Sequence, residues 1–454
     1  MVESYFTHKP SALRQFKIII ISHCLVTEIT KMCFGDKRKC VYYFFRENID
    51  RGTAYECLST RPVSLLQHGD FIVLSGTDLE RRAWKSMMKH CKLDEKQVIW
   101  AKKTLDDSEH EQVLQQISAA IDDPPDEYVL VPYVHTPLLS KALEKYPFGI
   151  IGDALNLCPT KLSAADLHFE DLSVKCPPVF DISQFSDMRE GYSKAVSHFD
   201  GASMLLKLAH TQGGAGVHLI RSEQEFLDLL DSTQFQNFRM EDREPHCFEK
   251  KRDDYGLYSV FSAYFEKFVP NVKGTVVVTC YGAELLCITE QLSNGFAHNG
   301  NRFPARSCLG LDEERLVSAV RSVHNLYKFT GPWGMDLVVS QEDQNTVYYL
   351  VDINCGRFNG CHFPQEIVAR SSKGWKYWEC KKVEVHTPID SFLERTTKLC
   401  PSGCAIFPIT VYPYPKKSRI LVCSNRSRSS IDAIWGSLLE AESVAKTNQS
   451  IQMA

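Results

Sequence analysis

The sequence is short of the features that settle a protein's class at a glance. It has no C-x-x-C pair among its 17 cysteines. The closest spacings, Cys400 with Cys404 and Cys355 with Cys361, do not repeat as zinc half-sites. An odd number of scattered cysteines, several beside apolar residues (Cys24, Cys280, Cys287), reads as reduced core thiols of a cytoplasmic protein. No charge of one sign dominates: the formal net charge is -4 and the pI about 6.4. That excludes a nucleic-acid-coating surface, and no nucleic-acid partner is expected. There is no apolar run long enough to cross a bilayer. The longest, "FKIIIISHCLV" from Phe16, is cut by Ser22 and His23. Lys9, Arg14 and Lys17 stand where a signal peptide would carry charge, but no small-residue cleavage site follows, so the run reads as a first buried strand. No membrane partner is expected. Internal repeats and low-complexity segments are absent too.

What remains is an ordinary globular composition, 44% hydrophobic and 24% charged over 454 residues, long enough for more than one domain. The first third alternates β-rich runs ("FKIIIIS", "DFIVLSG", "QVIWA", "EYVLVPYV") with helical stretches such as "DSEHEQVLQQISAAIDD". Strands alternating with helices predict a parallel sheet with helices on its faces, over residues 1–155. A second unit, 156–270, holds the strand "SMLLKLA", a Gly-rich turn, the helix "SEQEFLDLLD", a polar excursion at 239–256 and the strand "FSAYFEKFV". A third, 271–372, holds the antiparallel-looking "GTVVVTCYGAELLCITEQ", the helix "DEERLVSAVRSVHNLYKF" and two further strands. Residues 373–454 form a C-terminal extension, a possible substrate lid, ending in a polar tail after Glu442 that is expected to be loose. The fold class is therefore mixed α/β and α+β.

Two stretches carry chemistry. "KLAHTQGGAGVHL", from Lys207, places Gly213, Gly214 and Gly216 after a strand. Backbone N–H groups there can approach phosphate oxygens because no Cβ blocks them, and the Lys207 ammonium could reach the same phosphates. The stretch is neither a Walker A loop nor a Rossmann fingerprint, and a plain hairpin turn fits it as well. "YYLVDINCGRFNGCHFP", from Tyr348, ends an apolar strand in Asp352, Asn354 and Arg357. Asp352 and Asn354 are two apart and share a strand face; Asp336, one strand earlier, joins them if the two strands pair. Two carboxylates and an amide oxygen are hard ligands that suit magnesium. The alternative is a solvated strand end with a turn at Asn354 and Gly356. Arg357 could clamp a phosphoryl group, or make a surface ion pair.

The order of these pieces resembles the ATP-grasp superfamily of carboxylate–amine ligases, over roughly residues 125–370. Within it, "VPYVHTPLLSKALEKYPFGIIGDALNLCPTKLSAADL" looks close to the pheganomycin-type peptide ligase or L-amino acid ligase branch. The resemblance implies an N-terminal pre-ATP-grasp domain followed by a two-lobed ATP-grasp fold. It implies ATP and Mg2+ as cofactors, small-molecule carboxylate and amine substrates such as amino acids, and dimers as a frequent assembly. It gives Lys161 and Lys207 as the lysines on the ATP phosphates and "TQGGAGV" as the loop closing over them. Glu266, Lys267, Phe268 and Val269 become the hinge against adenine. Asp336, Asp352 and Asn354 become the magnesium ligands, and Arg357 the arginine on the acyl phosphate. Most relatives carry Glu where Asp352 stands, and Gly356 adds a residue before Arg357.

"EQLSNGFAHNGNRFPA", 290–305, precedes the metal strands, and Gln291, His298, Asn299 and Arg302 could meet an acceptor carboxylate, Arg302 as a catalytic group; an ordinary surface loop is the alternative. The implied activity is formation of an acyl phosphate and its capture by an amine. A phosphotransferase acting on a hydroxyl, and a non-catalytic ATP-binding protein, stay open beside it, as does a protein chain as acceptor.

Overall fold

A computed structural model of the chain describes residues 39–43, 66, 69–74, 78–91, 94–101, 109–132, 135, 137–152, 174–182, 188–208, 217–232, 263–355, 361–371, 373–410 and 416–453. Five expected site residues, Lys161, Gly213, Gly214, Gly216 and Arg357, lie outside these, as do the run at 16–22 and the excursion at 239–256.

The first sheet is built from β1 (Lys39–Tyr43), β2 (Phe71–Leu74), α1 (Asp78–Cys91), β3 (Val98–Trp100), α2 (Glu109–Ala120), β4 (Tyr128–Pro132), α3 (Pro137–Leu143) and β5 (Gly149–Ile150). Its strands are parallel in the order β3-β2-β1-β4-β5. Both faces are covered, so the strands read as continuous apolar runs. Alternate residues feed two cores. Ile72, Leu74, Val129 and Val131 pack toward Trp84 and Met87 of α1. Phe71, Val73, Tyr128 and Leu130 pack toward Val113, Leu114 and Ile117 of α2 and Leu139 of α3. The α1 core is shared with residues near the C-terminus, among them Phe392 and Trp435.

A short strand β6 (Val174–Lys175) leads to the second sheet: β7 (Val179–Asp181), α4 (Met188–His198), β8 (Met204–Leu208), β9 (Val217–Ile220), α5 (Glu223–Asp231) and β10 (Ala263–Lys267). The order is β7-β10-β8-β9, antiparallel throughout. Ser222 caps α5 by accepting from the Glu225 amide at 3.2 Å. One face packs on the helices through Met204, Leu206, Phe265 and Phe226, with Tyr192 stacked on Phe226 at 4.5 Å between centroids. The opposite face carries Lys207, Tyr264 and Glu266.

The remaining elements are β11 (Val272–Tyr281), β12 (Glu284–Asn294), β13 (Ala297–Phe303), α6 (Glu313–Tyr327), β14 (Pro332–Glu342), β15 (Asn345–Asn354), α7 (His362–Arg370), β16 (Tyr377–Val385), α8 (Ile389–Lys398), β17 (Cys404–Thr410), β18 (Lys416–Ser424) and α9 (Arg428–Met453). With β6 they form a nine-stranded sheet, β17-β18-β16-β13-β12-β11-β14-β15-β6, in which β13 of the third expected unit pairs with β16 of the C-terminal extension. Helix α6, capped by Asp312, covers Val276, Val278, Met335 and Leu337. Helix α9 lies further along the same face, with Lys381 5.1 Å from the Trp435 ring. The expected loose tail is helical instead, and α9 runs to Met453. Glu442 anchors it, only 3% exposed, accepting from the His386 amide at 2.6 Å, Thr387 Oγ1 at 3.0 Å and Arg395 Nη1 at 2.8 Å. A buried carboxylate is held by such a set of donors, which sequence polarity alone does not reveal.

Candidate functional site

Lys207 on β8 and Tyr264 on β10 are register partners, and Glu266 is two residues further along β10. Strand alternation therefore puts all three on one face. Lys207 Nζ lies 2.6 Å from Glu266 Oε1, the side chains 10% and 4% exposed. Either charge buried alone would be costly, so each holds the other in place. Tyr264 is 1% exposed. Burial holds its phenol well above its ordinary value, and the carboxylates of Glu266 and Asp352 push it further the same way. Asp352 belongs to β15, so the polar face of the four-stranded sheet comes within electrostatic reach of the nine-stranded one at this point. The Lys267 amide donates to Pro178 O at 2.9 Å and the Phe268 amide to Ser203 O at 3.0 Å, before the chain turns into β11. Lys267 is exposed, Phe268 half-buried and Val269 buried.

Asp336 and Asp352 are direct register partners between β14 and β15. A bulge makes this so: the register shifts between Asp336 and Leu337, leaving Val351 as the extra residue. Leu350 pairs with Leu337 toward α6, while Asp352, two positions on, pairs with Asp336 on the other face. Without the bulge the alternation would keep Leu350 and Asp352 together, and re-aiming a side chain is what such irregularities do. Asn354 is opposite Gly334, which is in turn opposite Thr279 on β11. The Thr279 hydroxyl is fully buried and has no hydrogen-bond partner among the described residues. Three acids or imidazoles clustered for a metal do not occur among the described residues. The site is thus two carboxylates and an amide, a set that phosphate oxygens and water can complete.

The structure puts Asp336, Asp352 and Asn354 on the face of the nine-stranded sheet away from α6, the cleft face, and Asp352 is in electrostatic reach of Tyr264, beside Lys207 and Glu266. Arg302, expected as a catalytic group, lies on the other face. On β13, Arg302 is opposite Glu290 and Glu379, in the row that continues through Val276 to Leu337. That row faces α6 and α9, and Arg302 Nε donates to Glu379 Oε2 at 2.7 Å. The neighbouring Asn301 takes the cleft face, as strand alternation requires.

Sequence reasoning passed over Tyr264, Thr279, Thr289, Asn301 and Cys361. Thr289 Oγ1 lies 3.3 Å from Cys361 Sγ and accepts from Asn301 Nδ2 at 3.4 Å. Burial pushes the Cys361 thiol up to about 12, the Thr289 hydrogen bond opposing and Asp336 adding to it, so it stays protonated. The available signal was a polar residue inside an apolar strand, as in "VVVTCY" and "LCITEQ".

No protein-family model and no curated protein sequence matches the chain. Solved structures do. N5-carboxyaminoimidazole synthetase from Staphylococcus aureus, complexed with ADP, has a TM-score of 0.53 at 13% identity, over 88% of this chain and 98% of that one. Biotin carboxylase from Campylobacter jejuni, as a β-γ-ATP complex, has a TM-score of 0.54 at 13% identity, over 87% and 89%. A 2-oxoglutarate carboxylase biotin carboxylase domain from Hydrogenobacter thermophilus, with MgADP and bicarbonate, has a TM-score of 0.52 at 13% identity, over 85% and 86%. The chain shares their multi-domain fold, the ATP-grasp fold expected from the order of its motifs.

Proposed function

We propose that this chain is an ATP- and magnesium-dependent ligase that activates the carboxylate of an amino acid or peptide as an acyl phosphate and joins it to an amine. One observation carries the reading: Asp336 and Asp352 are direct register partners, and Asp352 acts on the buried Tyr264, which shares its sheet face with the Lys207–Glu266 pair. The ADP, ATP and MgADP complexes of the fold relatives support it.

The donor set fits magnesium. Two carboxylates on directly paired residues disfavour each other's charge, and a cation between them removes that penalty. Asp336, Asp352 and the Asn354 amide oxygen would hold it, with the orphan Thr279 hydroxyl close behind. Bound there, magnesium would supply Lewis-acid polarisation of the phosphate oxygens.

The chain's own residues do the rest. Lys207, pre-oriented by Glu266, offers a fixed positive charge to phosphate oxygens without reorganising. Tyr264 keeps its proton and remains a donor toward the same space. A substrate carboxylate oxygen bonds to the γ-phosphorus as the β–γ bridging bond breaks and ADP leaves. The amine then attacks the acyl carbon, phosphate departs, and the amine nitrogen loses a proton. Lys161, Gly213, Gly214, Gly216 and Arg357 take the phosphate, loop and acyl-phosphate roles that the resemblance assigns. Lys267, Phe268 and Val269 border the adenine.

The test is ADP and phosphate release from ATP–magnesium, screened against amino-acid pools, with mass spectrometry of the products. Amino-acid-dependent release with an amide product, reduced about 100-fold or more in Asp352→Ala, is expected. A phosphorylated hydroxyl as product would make the chain a phosphotransferase, and absence of nucleotide binding would sink the reading.

A further inference from the structure

Thr279 stands in a stretch of β11 whose alternate residues, Val276, Val278 and Cys280, pack under α6. Strand alternation turns Val277 and Thr279 to the other face, that of Asp336 and Asp352. The β11–β12 register shifts just past Thr279, leaving Leu286 as the extra residue. Gln365 Nε2 of α7 donates to the Leu286 carbonyl at 3.2 Å, which pins that irregularity in place.

The register also sets the distance from Thr279 to the acids. Val277 is opposite Asp336, so Thr279, two residues on, is the diagonal neighbour of Asp336. Diagonal neighbours stand about 7–8 Å apart, a span that two side chains and one water bridge. Directly opposite Thr279 is Gly334, and opposite Gly334 is Asn354. Gly334 therefore puts no side chain between the Thr279 hydroxyl and the Asn354 amide.

Thr279 is 0% exposed, and its hydroxyl has no hydrogen-bond partner among the described residues. Buried hydroxyls on adjacent strands are matched: Thr289 Oγ1 donates to Val277 O at 3.4 Å, and Ser340 Oγ to Pro270 O at 2.6 Å. An unmatched buried hydroxyl carries a desolvation cost that a valine of the same shape avoids. An ion or an ordered water is the usual explanation of such a group. Magnesium, whose ligands Asp336 and Asn354 would be, keeps several waters when bound. A metal-bound water needs an acceptor, and a hydroxyl accepts without adding charge to the site.

We propose that Thr279 is a positioning residue of the magnesium site, its hydroxyl accepting a hydrogen bond from one of the waters that magnesium keeps. The assignment rests on the magnesium reading of Asp336, Asp352 and Asn354. Thr279 acts through the water and touches neither substrate nor metal.

The test is calorimetric titration of the ADP-saturated full chain with MnCl2, against a blank of ADP alone, with melting curves of the metal-free chain alongside. Wild type should bind Mn2+, and Asp352→Ala should lose that binding. Thr279→Val should bind it about ten-fold more weakly or worse, and Thr279→Ser, which keeps the hydroxyl, within about three-fold of wild type. The metal-free Thr279→Val chain should melt no lower than wild type, because its hydroxyl had no partner to lose. A lower melting curve would mean that the hydroxyl is matched inside the fold, and overturns the proposal. Equal Mn2+ affinity in wild type and Thr279→Val, or weak binding that Thr279→Ser does not restore, overturns it too and leaves the metal site standing. No Mn2+ binding by wild type overturns the magnesium reading, and this one with it.

Discussion

The two faces of the nine-stranded sheet both carry carboxylates, and they treat them oppositely. On the face under α6 and α9, Glu290 and Glu379 are buried among cations. Arg306 Nη2 lies 2.6 Å from Glu290, Arg302 Nε 2.7 Å from Glu379, and Lys381 and Arg428 pair with Glu379 as well. These acids are neutralised within the sheet and hold strands and helix together. On the cleft face, Asp336 and Asp352 are set opposite each other, with Asn354 beside them and Lys207 committed to Glu266 across the cleft. Charge matched inside the fold is structure. Like charge brought together is what the proposed magnesium site needs. The same residue types thus do different work one strand position apart.

The largest effect should come from breaking the matched face. Glu379 is fully buried, so Glu379→Ala leaves Arg302, Lys381 and Arg428 without their shared acid; a loss of about 3–5 kcal/mol is expected in chemical denaturation. Next comes a direct contrast of the faces. Arg302→Met should cost about 1.5–3 kcal/mol of stability by the same measurement. Its turnover should nonetheless stay within about three-fold of wild type, unlike the loss of about 100-fold expected on removing Asp352. A folded Arg302→Met enzyme without activity would mean that the face assignment is wrong.

The smallest effect, read one thiol at a time, comes through pH. Burial raises the thiols of Cys280, Cys287 and Cys423 above the ordinary value of 9.0, and that of Cys361 to about 12. Above pH 9 the unfolded chain gives up these protons while the folded one keeps them, so stability falls as pH rises toward 12. Each thiol contributes up to about 1.4 kcal/mol per pH unit. Denaturation midpoints at pH 8, 9 and 10 should fall progressively, and Cys361→Ala should flatten the slope.

Much of this was legible in the sequence. Apolar runs alternating with helices gave the parallel sheet, and the i, i+2 spacing of Asp352 and Asn354 gave one shared face. Gln291, His298, Asn299 and Arg302, grouped by sequence, do not share one face because a strand splits its residues by parity. Arg302 falls on the helix side, and only a bulge returns His298 to the cleft. The tail after Glu442 is helical where a loose end was expected, because a polar terminus looks solvated until the donors that anchor Glu442 are in place.

By itself the sequence determined which segments form strands and helices, and which residue types could hold phosphate and magnesium, since periodicity and donor chemistry are local properties. Only the tertiary structure decided which acids are neutralised and which are brought opposite each other. Register shifts at Val351 and at Asn299 change a side chain's face by one residue, and nothing local fixes where a neighbouring strand admits the extra residue.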